Sequence, residues 1–162
     1  MRRLCIVLAF LLLLSACSNR HEYDGWQEIE LSGVGTCKIP QEWVYHEDEG
    51  IVYITDKNMD ESSEYQVYLM GAIYENRQGV SFSQLLSQLQ GKEIEFLEPI
   101  SSEVFSNSAT VGNAKYLVDG QSCEMIFLEL YSTDKSLDAF VCDPSIAYDL
   151  VEKVGKSFSM DD

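Results

Sequence analysis

Three groups of side chains in this sequence have the types and spacing to do chemistry. Asp56-Lys57-Asn58-Met59-Asp60 begins like a calcium loop, in which oxygens at positions one, three and five wrap a hard cation. A full loop then needs Gly at position six and Glu at position twelve, where this chain has Glu61 and Val67. Asp56, Asn58 and Asp60 therefore stand as ligand candidates for a looser site, against the plainer reading of a solvated acidic loop. His46 stands before Glu47-Asp48-Glu49, and a cysteine–histidine nucleophile would need Cys37, Cys123 or Cys142 beside it. No local signature supports that arrangement. Cys123 and Cys142 flank what reads as one hairpin, so a disulfide between them is a third possibility. A turn at Ser132-Thr133 sets Tyr131 opposite Asp134 and Cys123 opposite Cys142. A turn over residues 133–136 sets Ser132 opposite Leu137 and Cys142 opposite Phe127. Both registers keep the same inside–outside alternation, so pattern does not choose between them.

The chain carries no G-x-S-x-G, P-loop or H-E-x-x-H. Its carboxylates are too numerous for any pair to stand out as acid and base. The expectation is a protein with no catalytic residues, no cofactor and no bound metal. Its 162 residues hold 27 acidic and 11 basic side chains, for a net charge of −16. That balance argues against nucleic acid, whose phosphates need clustered Lys and Arg. It argues equally against a domain lying flat on anionic lipid. It favours a basic protein partner, which an acidic face would steer into encounter. Tyr45, Glu47, Asp48, Glu49 and Tyr53, grouped around one acidic hairpin, are the candidate contact residues.

Those residues are positioned by a series of short elements. Residues 27–39 alternate as a strand bent at Gly33 and Gly35, and Pro40 stops it. Strands over 44–46 and 51–55 flank the Glu47-Asp48-Glu49-Gly50 turn. A longer strand covers 65–74. Ser81 and Gln84 form a capping box, and Phe82, Leu85, Leu86 and Leu89 share one helical face. Strands then follow over 93–98, 103–106, 109–111, 114–118, 123–131 and 137–142, with Gly112-Asn113 and Asp119-Gly120 among the turns. Asp143-Pro144 reads as a cap and first position of a last helix, whose apolar stripe includes Ile146, Leu150, Val151, Val154 and Phe158. Trp43 reads as core. The expected class is α+β, a central antiparallel sheet flanked by two amphipathic helices.

The N-terminus has its own logic. Met1-Arg2-Arg3 is basic, and residues 4–14 are an unbroken apolar run of eleven. That run is short of the roughly 20 residues a membrane-spanning helix needs, so it reads as a secretory signal. It ends Leu14-Ser15-Ala16-Cys17, which resembles the lipobox of bacterial lipoproteins. The resemblance implies cleavage before Cys17, lipidation of its sulfur, and anchoring to the cell membrane or outer membrane on the extracytoplasmic side. Two or more acyl chains on one residue make a stable anchor. The expected division is a signal over 1–16, a lipidated cysteine and tether over 17–25, and a single domain over 26–162.

Cys37-Lys38-Ile39-Pro40-Gln41-Glu42-Trp43 resembles the early strand-Pro-x-x-Trp passage of PsbP/Mog1-like domains. Val154-Gly155-Lys156-Ser157-Phe158 resembles the end of their last helix. The resemblance spans roughly residues 26–158 and implies an α/β/α sandwich. Relatives with a known role act mostly by binding proteins. No binding residue carries over, because no ligand motif of those relatives is present. The functional expectation is a lipid-anchored envelope domain that binds another protein, with a small-ligand or calcium-binding lipoprotein as the alternative.

Overall fold

The computed structural model describes residues 22–59, 64–75, 82–89, 95–98, 100–106 and 108–160. Strand accounts for 57% of these residues. Two antiparallel sheets form, one of three strands and one of eight. The small sheet holds β1 (Trp26–Leu31), β2 (Gly35–Pro40) and β11 (Ser159–Met160). The large sheet begins with β3 (Val44–Asp48), β4 (Ile51–Thr55) and β5 (Val67–Glu75). It continues with β6 (Glu95–Phe96), β7 (Ser101–Ser106), β8 (Ala109–Val118), β9 (Gln121–Tyr131) and β10 (Lys135–Val141). Its spatial order is β3-β4-β5-β10-β9-β8, and both β6 and β7 pair with β8. Among the described residues the helices are short, α1 (Phe82–Leu89) and α2 (Tyr148–Lys156).

This corrects the α+β expectation of a central sheet flanked by two helices, and with it the α/β/α sandwich that the PsbP/Mog1-like resemblance implied. Alternation along 27–39 is real, but it belongs to two strands. Ser32, Gly33 and Val34 turn the chain, with Gly33 at φ +72°, and β1 pairs with β2 from Trp26–Pro40 to Leu31–Gly35. The hairpin joins the C-terminal β11 instead of the large sheet. Period-2 patterning reports which face is buried and carries no record of which sheet a strand joins.

The main core lies between the large sheet, the small sheet and α2. Leu31, Val34 and Ile39 from the small sheet meet Leu69, Val111, Leu128 and Leu130 from the large one. Val151 and Val154 of α2 are buried in the same cluster. Each such side chain removed from water contributes about 1.5–3 kcal/mol before the entropy of ordering is counted. The opposite face of the large sheet carries a smaller cluster. There Leu86 of α1 packs with Phe96, Ala114 and Phe127, and the rings of Phe82 and Phe127 meet edge to face at 5.5 Å.

Several local expectations need correction. Gly112-Asn113 is not a turn, since β8 runs through it unbroken. Gly112 lies beneath the Phe127 ring, where no Cβ would fit. The last helix starts later than Pro144, with Ala147 at its N-cap. Asp143 instead closes the turn before it, its Oδ1 accepting from the Ser145 N–H at 2.7 Å. Trp43 is buried, as expected, and stacks at 5.0 Å on Tyr68.

Candidate functional site

The acidic hairpin forms as a two-residue turn. Asp48 pairs with Ile51, and Glu49 and Gly50 take φ of +49° and +79°, the positive values that a twisted hairpin favours. Its candidate contact residues do not share a surface. Tyr45 pairs with Ile54 and packs on the main core, while Tyr53 pairs with His46 on the other face. The Tyr45 hydroxyl donates to Glu47, which also accepts from the Ser32 N–H at 3.4 Å. Burial works against the Glu47 charge, but Tyr45, Ser32 and Lys135 outweigh it and hold the carboxyl below its ordinary value. Burial and the Glu47 carboxylate together push the Tyr45 phenol up. Tyr45 and Glu47 thus tie β3 to the β1–β2 turn. The same turn is held from the far side by Ser132, whose Oγ donates to the Gly33 carbonyl at 3.1 Å. Asp48 and Glu49 are exposed at the tip.

Of the calcium-loop candidates, Asp56 and Asn58 lie among the described residues. Asp56 Oδ1 accepts from the Gln66 N–H at 2.7 Å, closing the connection between β4 and β5. Asn58 is exposed, and Asp60 lies outside the described residues. Among the described residues no group of three or more His, Cys, Asp and Glu side chains could hold a metal ion. The His46 Nε2 accepts from the Met59 N–H at 3.3 Å. Cys37 is buried in the main core, and burial followed by Glu28 pushes its thiol up to about 12. Cys17 lies outside the described residues, as does Ser81 of the capping box. Among the described residues no helix is long and apolar enough to cross a membrane.

The β9–β10 hairpin follows neither expected register. Tyr131 pairs with Ser136 and Phe127 with Phe140, midway between the two. Ser132 sets this turn, since its N–H donates to the Lys135 carbonyl at 2.8 Å and its Oγ accepts from the Lys135 N–H at 3.0 Å. Cys123 and Cys142 are both free thiols. They nevertheless line the same cavity.

That cavity is an open cleft of about 650 Å3 where β9 and β10 part. Its cause is local. β10 ends at Val141, and the chain beyond it stays with β5, the Cys142 N–H donating to the Tyr68 carbonyl at 2.8 Å. Asp143 is buried there and accepts from the Gln66 amide. Pro144 cannot donate to any ladder and the chain turns away into α2. β9 meanwhile stays with β8 as far as the Asp119-Gly120 turn. One wall of the cleft is β9, with Ser122, Glu124 and Ile126, backed by Tyr116 of β8. The other is Val141, the 142–147 loop and Tyr148. The Tyr148 hydroxyl donates to the Val111 carbonyl at 3.3 Å, which ties that wall to β8. Burial raises the pKa of Tyr116 and of Tyr148, so both phenols stay protonated at neutral pH, Tyr148 already donating to Val111. Ser145 holds the Asp143 carboxyl below its ordinary value, so Asp143 is ionised. A cleft of this size, with mixed polar and apolar walls, is concave enough to take a ligand. Sequence reading passed over it, because a divergence between paired strands leaves no residue signature. The nearest signal is Asp143-Pro144, which marks where pairing must stop.

Glu129 is a second buried group that sequence reading passed over. It is 1% exposed in the middle of β9, directly opposite Asp138 of β10, which is 5% exposed. It accepts from the Tyr131 hydroxyl and from the Phe82 N–H, so it caps the first turn of α1 from the sheet below. A lone acid between Leu128 and Leu130 was its sequence signal.

No family model matches the chain. No curated protein matches it either. Among solved structures it is similar to a protein of Bacteroides thetaiotaomicron, at 9% identity and a TM-score of 0.48. The alignment covers 80% of this chain and 46% of that one, so this chain spans about half the neighbour's length.

Proposed function

We propose that this chain is a lipid-anchored, extracytoplasmic binding module of the bacterial cell envelope, non-catalytic, that captures a protein partner in the cleft between β9 and β10. The single observation that carries the reading is the cleft. It is preformed, about 650 Å3 in volume, and walled by Tyr116, Ile126, Val141 and Tyr148. Half-exposed tyrosines beside aliphatic side chains are what protein interfaces favour at their centre. The exposed Glu124 carboxylate lines the cleft, in keeping with the net charge of −16, and prefers a basic partner. The lipobox-like Leu14-Ser15-Ala16-Cys17 supports the anchor and the envelope location.

The test is cross-linking in intact membranes followed by mass spectrometry, on the wild type and on Cys17→Ser, Ala147→Trp and Glu49→Lys. Ala147 is exposed at the cleft mouth and Glu49 at the hairpin tip. The expected result is one recurrent partner that Ala147→Trp loses and Glu49→Lys keeps. Cys17→Ser is expected to leave the membrane fraction. A partner set that Ala147→Trp leaves unchanged would contradict the cleft, and membrane retention of Cys17→Ser would contradict the anchor.

A further inference from the structure

The cleft has one wall made of unpaired backbone. In an antiparallel strand the N–H and C=O of one residue point to the same neighbour, and the side alternates along the chain. The Tyr131 N–H donates to the Ser108 carbonyl at 2.8 Å, on the β8 side. The next N–H, of Ser132, donates to the Lys135 carbonyl at 2.8 Å, on the β10 side. Odd-numbered residues of β9 therefore turn their peptide groups to β8, and even-numbered ones to β10. The ladder with β8 continues to Gln121 opposite Val118, whereas the ladder with β10 stops at Phe127 opposite Phe140. The peptide groups of Ser122 and Glu124 consequently point into the cleft, and among the described residues no strand pairs with that side of β9. Both residues line the cavity, which is the independent check on this assignment.

An unpaired strand edge is a template for another strand. The edge over residues 121–125 extends about 17 Å at about 3.3 Å per residue, room for a five-residue extended segment, since Ile126 still serves the last rung to β10. The geometry points to one mode of recognition: an extended peptide segment of a partner protein adds to β9 inside the cleft, by backbone hydrogen bonds to Ser122 and Glu124. Its side chains alternate between basic, on the face of the exposed Glu124 carboxylate, and small apolar, on the opposite face of β9 beside Cys123 and Tyr116. Main-chain bonds would supply affinity and the two kinds of pocket selectivity. This rests on the proposed binding role of the cleft and adds the chemistry of the occupant.

The experiment is hydrogen exchange on the mature, membrane-anchored chain in nanodiscs, with an alternating lysine–valine hexapeptide as probe. The control is the same peptide methylated at every backbone nitrogen, which keeps the charges and removes the donors. In the free chain the Ser122 and Glu124 amides should exchange fast. Millimolar hexapeptide should slow them about tenfold, and the methylated peptide should leave them unchanged. Glu124→Pro removes one cleft-facing N–H and no rung to β8, so it should keep the protection of β5 and β10 and lose the response. Glu124→Gln keeps the N–H and should retain a weaker response. No slowing by the hexapeptide, or equal slowing by the methylated one, overturns strand addition. The cross-linking experiment separates the two claims: a partner lost in Ala147→Trp, with exchange indifferent to peptide, leaves the binding role standing and removes this mode alone.

Discussion

Glu47 is a stabilising residue in a place where the sequence suggested a contact residue. An acid in a run of three reads as solvated, and nothing in the run says which one turns inward. Register decides it, because Glu47 pairs with Val52 and so shares the face of Tyr45 and Ser32, while Asp48 points away. Its folded pKa lies below the unfolded value of about 4.3, so its contribution is fully present above that value and is lost as pH falls through the folded one. The wild type should therefore lose stability more steeply than Glu47→Gln between pH 6 and about pH 3. Parallel melting curves for the two proteins across that range would remove Glu47 from the account. The cysteines make a second prediction at this scale. Cys142 is exposed, Cys123 half-buried and Cys37 buried with a thiol pushed up to about 12. Alkylation of the native chain at pH 8 should label Cys142 first, Cys123 next and Cys37 only in denaturant. Equal labelling of Cys37 in the native chain would contradict its place in the core.

The elements were legible where periodicity is strong and illegible where a glycine or a proline has two meanings. The first helix stands where Phe82 and Leu86 repeat, and β9 and β10 stand close to where alternation placed them. Gly112 misled because a glycine before Asn resembles a turn, and here it provides a close approach. The Phe127 ring occupies the space a Cβ would take, so the strand continues and the small core closes. Gly112→Ala should destabilise the fold by about 1–3 kcal/mol, as overpacking does, with a lowered melting temperature as the readout. A melting temperature equal to wild type would show that the ring is not seated there. Asp143-Pro144 misled in the opposite sense. The pair reads as the start of a helix, but the helix caps at Ala147, and Asp143-Pro144 instead follows the point at which β10 leaves β9. The cleft is the product of that divergence, so the most informative feature of the fold sits where two strand assignments were both close to correct.

At the scale of the whole molecule, a hairpin and a C-terminal strand make a second sheet that covers one face of the first, together with α2. Which strands would leave the main sheet could not be read from alternation, since either sheet would bury the same residues. The β1–β2 turn is what fastens the two sheets, through Glu47 on one side and Ser132 and Lys135 on the other. These ties hold the large sheet at β3 and at the β9–β10 turn, the end of that hairpin remote from the cleft. Charge completes the picture, since a chain at −16 sets the exposed Glu124 carboxylate beside the open edge. The most direct test of the central claim is site-specific photo-cross-linking in intact cells, with a photoreactive side chain placed at Ala147 in one strain and at Glu49 in another. The account predicts a discrete adduct from Ala147, at the cleft mouth, and none from Glu49. An adduct from Glu49 alone, or none from either position with the chain folded and anchored, would contradict it.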